Sequence, residues 1–232
     1  PRYFSSAASD VYKRQTSMNT EIGFKSNQGL NSLEFTLFTN SYDNLLGADT
    51  AASGGGSDEL FNGGAVDISG FELYLRRILV DNGRIQMPLE LSWTSTNSEF
   101  QESFDGFWGE VSKGDELPYL PDTMIALNLG LNVDKLSANI SMKKTSEMRT
   151  VAGSGRIAES NATDELTIID LGLRYALQDN IRLSVGINNF MDDDGIAARR
   201  PYGARPTMPR SFSLGVDSVS YTHLTLPTRS TV

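Results

Sequence analysis

Strict alternation of apolar residues with small or polar ones is the feature that most constrains the fold of this chain. In TMIALNLGLNV, every odd position from Ile125 to Val133 is apolar, and the residues between them are Ala, Asn and Gly. The same period of two recurs in RIQMPLELSWTST, KLSANISMKK, IIDLGLRYAL and IRLSVGINNF. Because successive side chains of a strand point to opposite faces of a sheet, this period predicts strands whose two faces meet different surroundings. We expect about nine such strands, a number estimated from these runs.

Short and long connections alternate between these runs. Three links are tight, at Asp81–Gly83, Val133–Lys135 and Gln178–Asn180. Long stretches rich in Gly, Ser and charged residues separate the other runs: Gly47–Asn62, Gln101–Tyr119, Thr150–Glu165 and Asp192–Pro209. Tight turns at one rim and long loops at the other are typical of an antiparallel up-and-down β-barrel in an outer membrane.

Two architectures fit the alternation, a transmembrane barrel and a soluble β-sandwich or solenoid. A sandwich fills its core with bulky residues and usually exposes Lys, Glu and Thr. Here the minor face carries Gly, Ala, Ser and Asn, which suits a hydrated and crowded lumen. Aromatic residues near strand ends would form the girdle of a barrel: Trp93, Phe100, Tyr119, Tyr175 and Phe190. These features favour the barrel and leave the sandwich as an alternative.

Composition and motifs argue against several function classes. The chain has 20 basic against 29 acidic residues and few basic clusters, so we expect no nucleic-acid partner. Its one histidine, His223, lies outside the alternating region, so no Ser-His-Asp triad is expected there and we predict no catalytic residue. The acidic run Asp192–Asp194 lacks the spaced ligands of a calcium loop, and we predict neither a metal site nor a cofactor.

Five sequence motifs resemble those of TonB-dependent outer-membrane receptors, in the order found in that family. They are NTEIGFKS followed by LEFTLFTNSYDNLLG, then NGGAVDISGFELYL, GDELPYLPDTMIALNLGL, GINNFMDDD and GARPTMPRSFSLGV. The third is similar to a strand entry that is pronounced in the ferric-citrate-type subgroup. Each motif is inexact on its own, but the five together span nearly all of Thr16–Asp217.

This resemblance implies a 22-stranded barrel plugged by an N-terminal globular domain. The chain would supply only the C-terminal part of the barrel, an all-β segment of about nine strands, with plug and TonB box outside it. The resemblance also implies energised uptake of a ferric chelate or a similar scarce nutrient in the outer membrane of a Gram-negative bacterium. The partners would be the TonB complex, reached through the plug, a small ferric chelate, and outer-membrane lipid and lipopolysaccharide. A passive porin-like channel and a soluble β-rich binding domain are the alternatives.

The two ends of the chain differ from everything between them. One possible DNA coding of Ser5–Gln15 has a reverse complement that, in a shifted frame, translates as Val219–Thr228. That DNA resembles a transposase-based sequencing adaptor. We therefore expect residues 1–15 and 218–232 to be adaptor-derived flanks, and residues 16–217 to be the genuine receptor segment.

The sequence ARRPYGARP is the strongest candidate for ligand contact. Arg199, Arg200 and Arg205 lie beside Tyr202 in a predicted extracellular loop. Planar guanidinium groups suit the carboxylates of ferric chelates. Lipopolysaccharide contact or loop packing is the alternative role, because exposed charges are usually just solvated.

Overall fold

The computed structural model describes residues 14–48, 60–106, 109–200 and 203–218, and within them nine long strands form one antiparallel sheet. These strands are β1 (Thr16–Gln28), β2 (Asn31–Asp43), β5 (Val66–Asp81), β6 (Ile85–Phe100), β9 (Thr123–Val133), β10 (Leu136–Thr145), β11 (Leu166–Gln178), β12 (Ile181–Asn188) and β15 (Ser211–Ser218). Neighbours in the sheet follow chain order, β1-β2-β5-β6-β9-β10-β11-β12-β15. The predicted all-β, up-and-down antiparallel arrangement is confirmed.

In the described parts of the long connections, six short strands pair as hairpins. They are β3 (Leu46–Ala48), β4 (Leu60–Asn62), β7 (Phe104–Gly106), β8 (Gly109–Val111), β13 (Ile196–Ala198) and β14 (Arg205–Pro206), with pairs β3–β4, β7–β8 and β13–β14. A 3₁₀ turn spans Glu159–Asn161. No helix among the described residues is long and apolar enough to cross a membrane.

Tight turns join the strands at one rim, called the turn rim here. The β1–β2 hairpin turns through two residues, and its Gly29 has a φ of 61°. Asp134 has a φ of 50° in the equally short β9–β10 turn. Two-residue hairpins need such left-handed backbone, which Gly, Asn and Asp adopt most readily. The sequence therefore fixes these turns locally, and they set the register of the strands they join.

One face of the sheet is apolar across its width, and it is called the apolar face here. A lateral row of direct cross-strand partners runs through Leu89, Leu129, Ile140, Leu171, Ile187 and Phe212. Large side chains of this face are open to the surroundings, with Ile140 48% and Leu214 82% exposed. A water-soluble protein rarely exposes a continuous apolar surface of this extent, whereas the outer surface of a membrane barrel does.

The opposite face, called the polar face, carries a matching polar row. Its direct cross-strand partners are Ser32, Arg76, Glu90, Asn128, Ser141 and Asp170. Arg76 and Glu90 form an ion pair at 3.4 Å. Charged and amide groups need hydrogen-bond partners or water, so this face suits a hydrated interior.

The height of the apolar band agrees with a bilayer crossing. From Ile125 to Val133 the band spans eight steps of about 3.4 Å, which at a strand tilt of about 40° gives roughly 20 Å. The apolar band of an outer-membrane barrel is about 25 Å tall. On β6 the apolar run ends at Trp93, and Ser95, Asn97 and Glu99 follow on the same face. The upper part of β6 therefore extends beyond the band toward the loops.

The predicted aromatic girdle holds for some residues and fails for Phe100. Trp93 is 40% exposed at the top of the band, edge-to-face with Phe71 at 4.9 Å between ring centroids, and Tyr175 is 42% exposed near the turn rim. Phe100 is fully buried on the polar-face side, so its assignment to a lipid-facing girdle is wrong. The reason is strand parity, since Phe100 shares the face of Glu90, not that of Trp93.

The predicted adaptor-derived flanks lie almost entirely outside the described residues. Of the two flanks, only Arg14, Gln15 and Ser218 are described. The origin of both segments stays a prediction.

Candidate functional site

Four long loops lie together at the rim opposite the turns. They are L1 (residues 44–65), L2 (101–122), L3 (146–165) and L4 (189–210), and their described parts form what is called the loop layer here. Hydrogen bonds connect each loop to the next: Gln101 N–H to the Ala65 carbonyl, Glu116 N–H to the Gly153 carbonyl, and Asp164 N–H to the Ile196 carbonyl, at 2.8–2.9 Å. The loop layer is therefore one connected surface.

A small apolar core holds L1 and L2 against the sheet. Val66, Phe100 and Val111 are fully buried, and Phe104 meets Phe100 edge-to-face at 5.5 Å. Val66 and Phe100 are direct cross-strand partners on the polar-face side. The polar face thus becomes apolar at its loop end, and L2 packs onto it there through Val111 and Leu117.

Arg149 and Glu116 link L3 to L2. The Arg149 side chain is 7% exposed, and its Nε and Nη2 both lie 2.7 Å from Glu116 Oε2. Nη2 also donates to the Gly155 carbonyl at 3.1 Å. Backbone bonds flank the pair, including Tyr119 N–H to the Arg149 carbonyl at 2.8 Å. A buried guanidinium needs such partners, so this pair positions two loops relative to each other.

Asp122 is the last residue of L2 before β9, and its carboxyl interacts electrostatically with Glu116 and Arg149. Partial burial of its carboxyl, together with the nearby Glu116 carboxylate, raises the pKa of Asp122 above its usual value, and Arg149 partly offsets this. Asp122 as a whole is exposed, so water limits the effect.

Asn189 organises the start of L4. It is 3% exposed with a φ of 50°, and its amide Nδ2 donates to the carbonyls of Asp193 and Met208 at 2.9 and 2.8 Å. Its Oδ1 accepts the Asp193 N–H at 2.9 Å, and its own N–H donates to Asp170 Oδ1 at 2.8 Å. The motif NNFMDDD therefore closes a strand end by hydrogen bonds.

The carboxylates of this acidic run accept backbone hydrogen bonds. Asp192 Oδ1 accepts the Arg210 N–H and Asp193 Oδ2 accepts the Thr167 N–H, both at 2.8 Å. Within the described ranges, no group of three or more His, Cys, Asp or Glu side chains is arranged to hold a metal ion. These acids stabilise the loop layer.

The three arginines of the predicted ligand site make different contacts. Arg199 donates from Nε to the Ala162 carbonyl and from Nη2 to the Glu159 carbonyl, the latter at 2.9 Å, so it fastens L4 to L3. Arg205 donates to the Arg200 carbonyl. No described residue accepts a hydrogen bond from the Arg200 guanidinium, which is partly exposed. Tyr202 lies outside the described residues.

A family model described as TonB dependent receptor-like, beta-barrel matches residues 2–190, well over half of the chain. The chain belongs to this family. The matched range starts inside the predicted N-terminal flank, and it does not test the origin of that flank. A comparison of this chain with curated proteins found no significant match.

Solved structures show the same fold for this TonB-dependent receptor segment. The ferric-catecholate import receptor Fiu from E. coli K12, in its closed form, superposes with a TM-score of 0.67 at 19% identity, over 89% of this chain and 28% of that chain. The ferric yersiniabactin uptake receptor FyuA from Yersinia pestis gives 0.66 at 14% identity, over 88% and 30%. The copper transporter OprC gives 0.64 at 16% identity, over 90% and 32%. The chain therefore spans about a third or less of each structure and corresponds to part of a larger barrel.

Sequence reasoning missed the links that order the loop layer. Glu116 lies inside the quoted GDELPYLP motif, but the motif does not indicate its partner 33 residues away. Asn189 lies in a motif noted only for family resemblance, although Asn and Asp side chains at the end of a strand often hydrogen-bond nearby backbone groups.

Proposed function

We propose that this chain is part of an outer-membrane uptake receptor for a ferric chelate or a similar scarce nutrient. The observation that carries the proposal is the two-faced sheet, with a continuous exposed apolar row on one side and a continuous polar row on the other. Such a sheet is stable when lipid covers the apolar face and water or protein fills the other. Family membership supports the same placement.

The relatives support the class of ligand. Structures named as receptors for ferric catecholate and ferric yersiniabactin share the fold, as does one named a copper transporter. Chelated metals with anionic oxygen donors would find cationic groups in the loop layer attractive. Among the predicted ligand residues Arg199, Arg200, Tyr202 and Arg205, Arg200 is the strongest candidate, because Arg199 and Arg205 already bond loop carbonyls.

Family membership supports the proposed energy source and location. The TonB complex would act through an N-terminal plug belonging to the longer protein, in the outer membrane of a Gram-negative bacterium. The apolar face would contact outer-membrane lipid and the loop side lipopolysaccharide. We propose a binding and gating transporter with no enzymatic role and no nucleic-acid partner.

A passive porin-like channel is the second candidate, favoured by the polar face alone. L2 argues against it, because its Val111 and Leu117 pack over the loop end of that face and fill space that an open pore needs. A soluble binding domain does not fit the exposed apolar row.

Uptake by the complete receptor tests the proposal. The gene containing this chain is expressed in a Gram-negative host that lacks its own siderophore receptors, with and without TonB, and uptake of radioactive iron is measured for ferric catecholate and ferric citrate probes. We expect TonB-dependent uptake of at least one ferric chelate. Uptake that is equal without TonB would favour the channel, and no uptake by a correctly inserted receptor would contradict the ferric assignment.

Single substitutions then test the ligand residues. Arg200→Ala should weaken binding of the transported chelate about tenfold, as expected for loss of one charge-assisted hydrogen bond. Arg156→Ala, at an exposed arginine of L3, is the matched control and should change binding less than twofold. Unchanged binding by Arg200→Ala would remove Arg200 from the site.

A further inference from the structure

A groove opens on the apolar face at the turn rim, where β1, β2 and β5 meet. Its volume is about 380 Å³. Seven of its lining residues have the strand parity of the apolar face: Phe24, Ser26, Gln28, Asn31, Leu33, Leu75 and Arg77. The groove therefore faces the surroundings of the sheet and not its polar interior.

The lining changes from apolar to polar toward the turn rim. Leu33 and Leu75 are direct cross-strand partners within the apolar band. Gln28 and Asn31 close the β1–β2 hairpin, and Arg77 lies two residues beyond Leu75 in the same direction. A molecule seated here would meet hydrocarbon side chains at one end and hydrogen-bond donors at the other.

Arg77 is the unpaired charge of this groove. It is exposed, and no described carboxylate or carbonyl accepts a hydrogen bond or ion pair from its guanidinium. The described lining contains two arginines and no acidic residue, and the other arginine, Arg76, pairs with Glu90 on the polar face. Asn31 is held in place because its Oδ1 accepts the Ile78 N–H at 2.9 Å. Among the described residues, the groove thus presents one cation without a partner, the Arg77 guanidinium, beside the ordered Asn31 amide.

Guanidinium groups bind phosphate oxygens through two parallel hydrogen bonds. Free phosphate would leave the apolar wall of Leu33 and Leu75 unused, whereas a phosphate joined to acyl chains would use both ends of the groove. We propose that this groove binds a glycerophospholipid of the periplasmic leaflet, with its phosphate on Arg77 and an acyl chain along Leu33 and Leu75. The inference rests on the proposed membrane placement and adds a defined lipid site to it.

Native mass spectrometry of the complete receptor in detergent tests the site. The added probes are dioleoyl phosphatidylglycerol, dioleoyl phosphatidylethanolamine, dioleoylglycerol, which lacks phosphate, and inorganic phosphate. We expect both phospholipids to bind and dioleoylglycerol to bind weakly. Arg77→Gln should weaken phosphatidylglycerol binding about tenfold, and Arg77→Lys should give an intermediate loss because it keeps the charge without the planar fork.

Arg84→Gln is the matched control, since Arg84 lies at the same rim but is paired with Asp134 at 3.1 Å. It should change phospholipid binding less than twofold. Equal phosphatidylglycerol binding by wild type and Arg77→Gln would overturn the site, and so would full competition by an equal concentration of inorganic phosphate. A receptor that inserts and takes up chelate yet fails these tests overturns the lipid site alone. A receptor that does not insert into membranes overturns the proposed function as well.

Discussion

Glu116→Gln should loosen the contact between L2 and L3 without unfolding the barrel. The substitution removes the carboxylate that Arg149 contacts through both Nε and Nη2, and it leaves a guanidinium that is 7% exposed with mainly neutral acceptors. Removing one partner of a fully buried ion pair costs about 3–5 kcal/mol. Glu116 is 40% exposed and partly screened by water, so we expect a smaller loss of about 1–3 kcal/mol in local stability.

Hydrogen exchange of backbone amides in the reconstituted receptor measures this loss. The relevant amides are those of Glu116 and Tyr119, which donate to the Gly153 and Arg149 carbonyls at 2.8 Å. A loss of 1–3 kcal/mol corresponds to exchange roughly 5- to 150-fold faster when opening is local. Arg149→Met should lower local stability less than Glu116→Gln does, because it leaves the half-exposed Glu116 carboxylate, which water can solvate.

The exposed pair Arg84–Asp134 provides the control. Its side chains are 73% and 57% exposed, so Asp134→Asn should change exchange at the turn rim less than about threefold. Exchange of the Glu116 and Tyr119 amides that stays within twofold of wild type in Glu116→Gln would refute the role given to the buried pair.

Three further predictions concern the sheet and its loop entry. Ile140→Arg should lower barrel stability by about 2–4 kcal/mol in lipid vesicles, measured by denaturant titration, whereas Ser141→Arg on the polar face should change it by less than about 1 kcal/mol. Gly70→Ala should lower stability by about 1–3 kcal/mol or more in the same titration, because the added Cβ would lie 2.0 Å from the Ser95 carbonyl oxygen. For Asp122, whose pKa is raised in the fold, ionisation costs stability as pH rises through that pKa, and the cost is absent well below pH 4. Asp122→Asn should therefore stabilise the L2 entry relative to wild type at pH 7 and lose this advantage at pH 3, as read by proteolysis of the loop layer.

The sheet could be predicted because its determinants are local in sequence. The period of two from Ile125 to Val133 fixes which side chains share a face, and the tight turn at Asp134 fixes the partner strand and the register. The motifs that resemble the family then added the prediction that these strands belong to a larger barrel. The number of long strands and their order follow from these signals alone.

The loop layer could not be predicted in the same way. Its links join residues far apart in sequence, such as Arg199 and Tyr119, whose backbone N–H and hydroxyl oxygen lie 3.3 Å apart across 80 positions. Phe100 shows the same difficulty: a terminal aromatic fits a girdle by position, but its face and the residues covering it depend on where L2 folds back. Three arginines close in sequence predicted one ligand site, but the sequence does not show that Arg199 bonds carbonyls of L3 while Arg205 bonds the Arg200 carbonyl.

Single-cysteine labelling along β10 tests most directly whether the apolar face meets lipid. The chain contains no cysteine, so each introduced thiol in this segment is unique. A fluorescent label at Ala138 or Ile140 should be quenched by brominated lipid and shielded from iodide, and a label at Ser137 or Ser141 should show the reverse. This alternation with a period of two is the predicted result. Iodide quenching of all four positions in a receptor reconstituted in vesicles would contradict the membrane-embedded barrel.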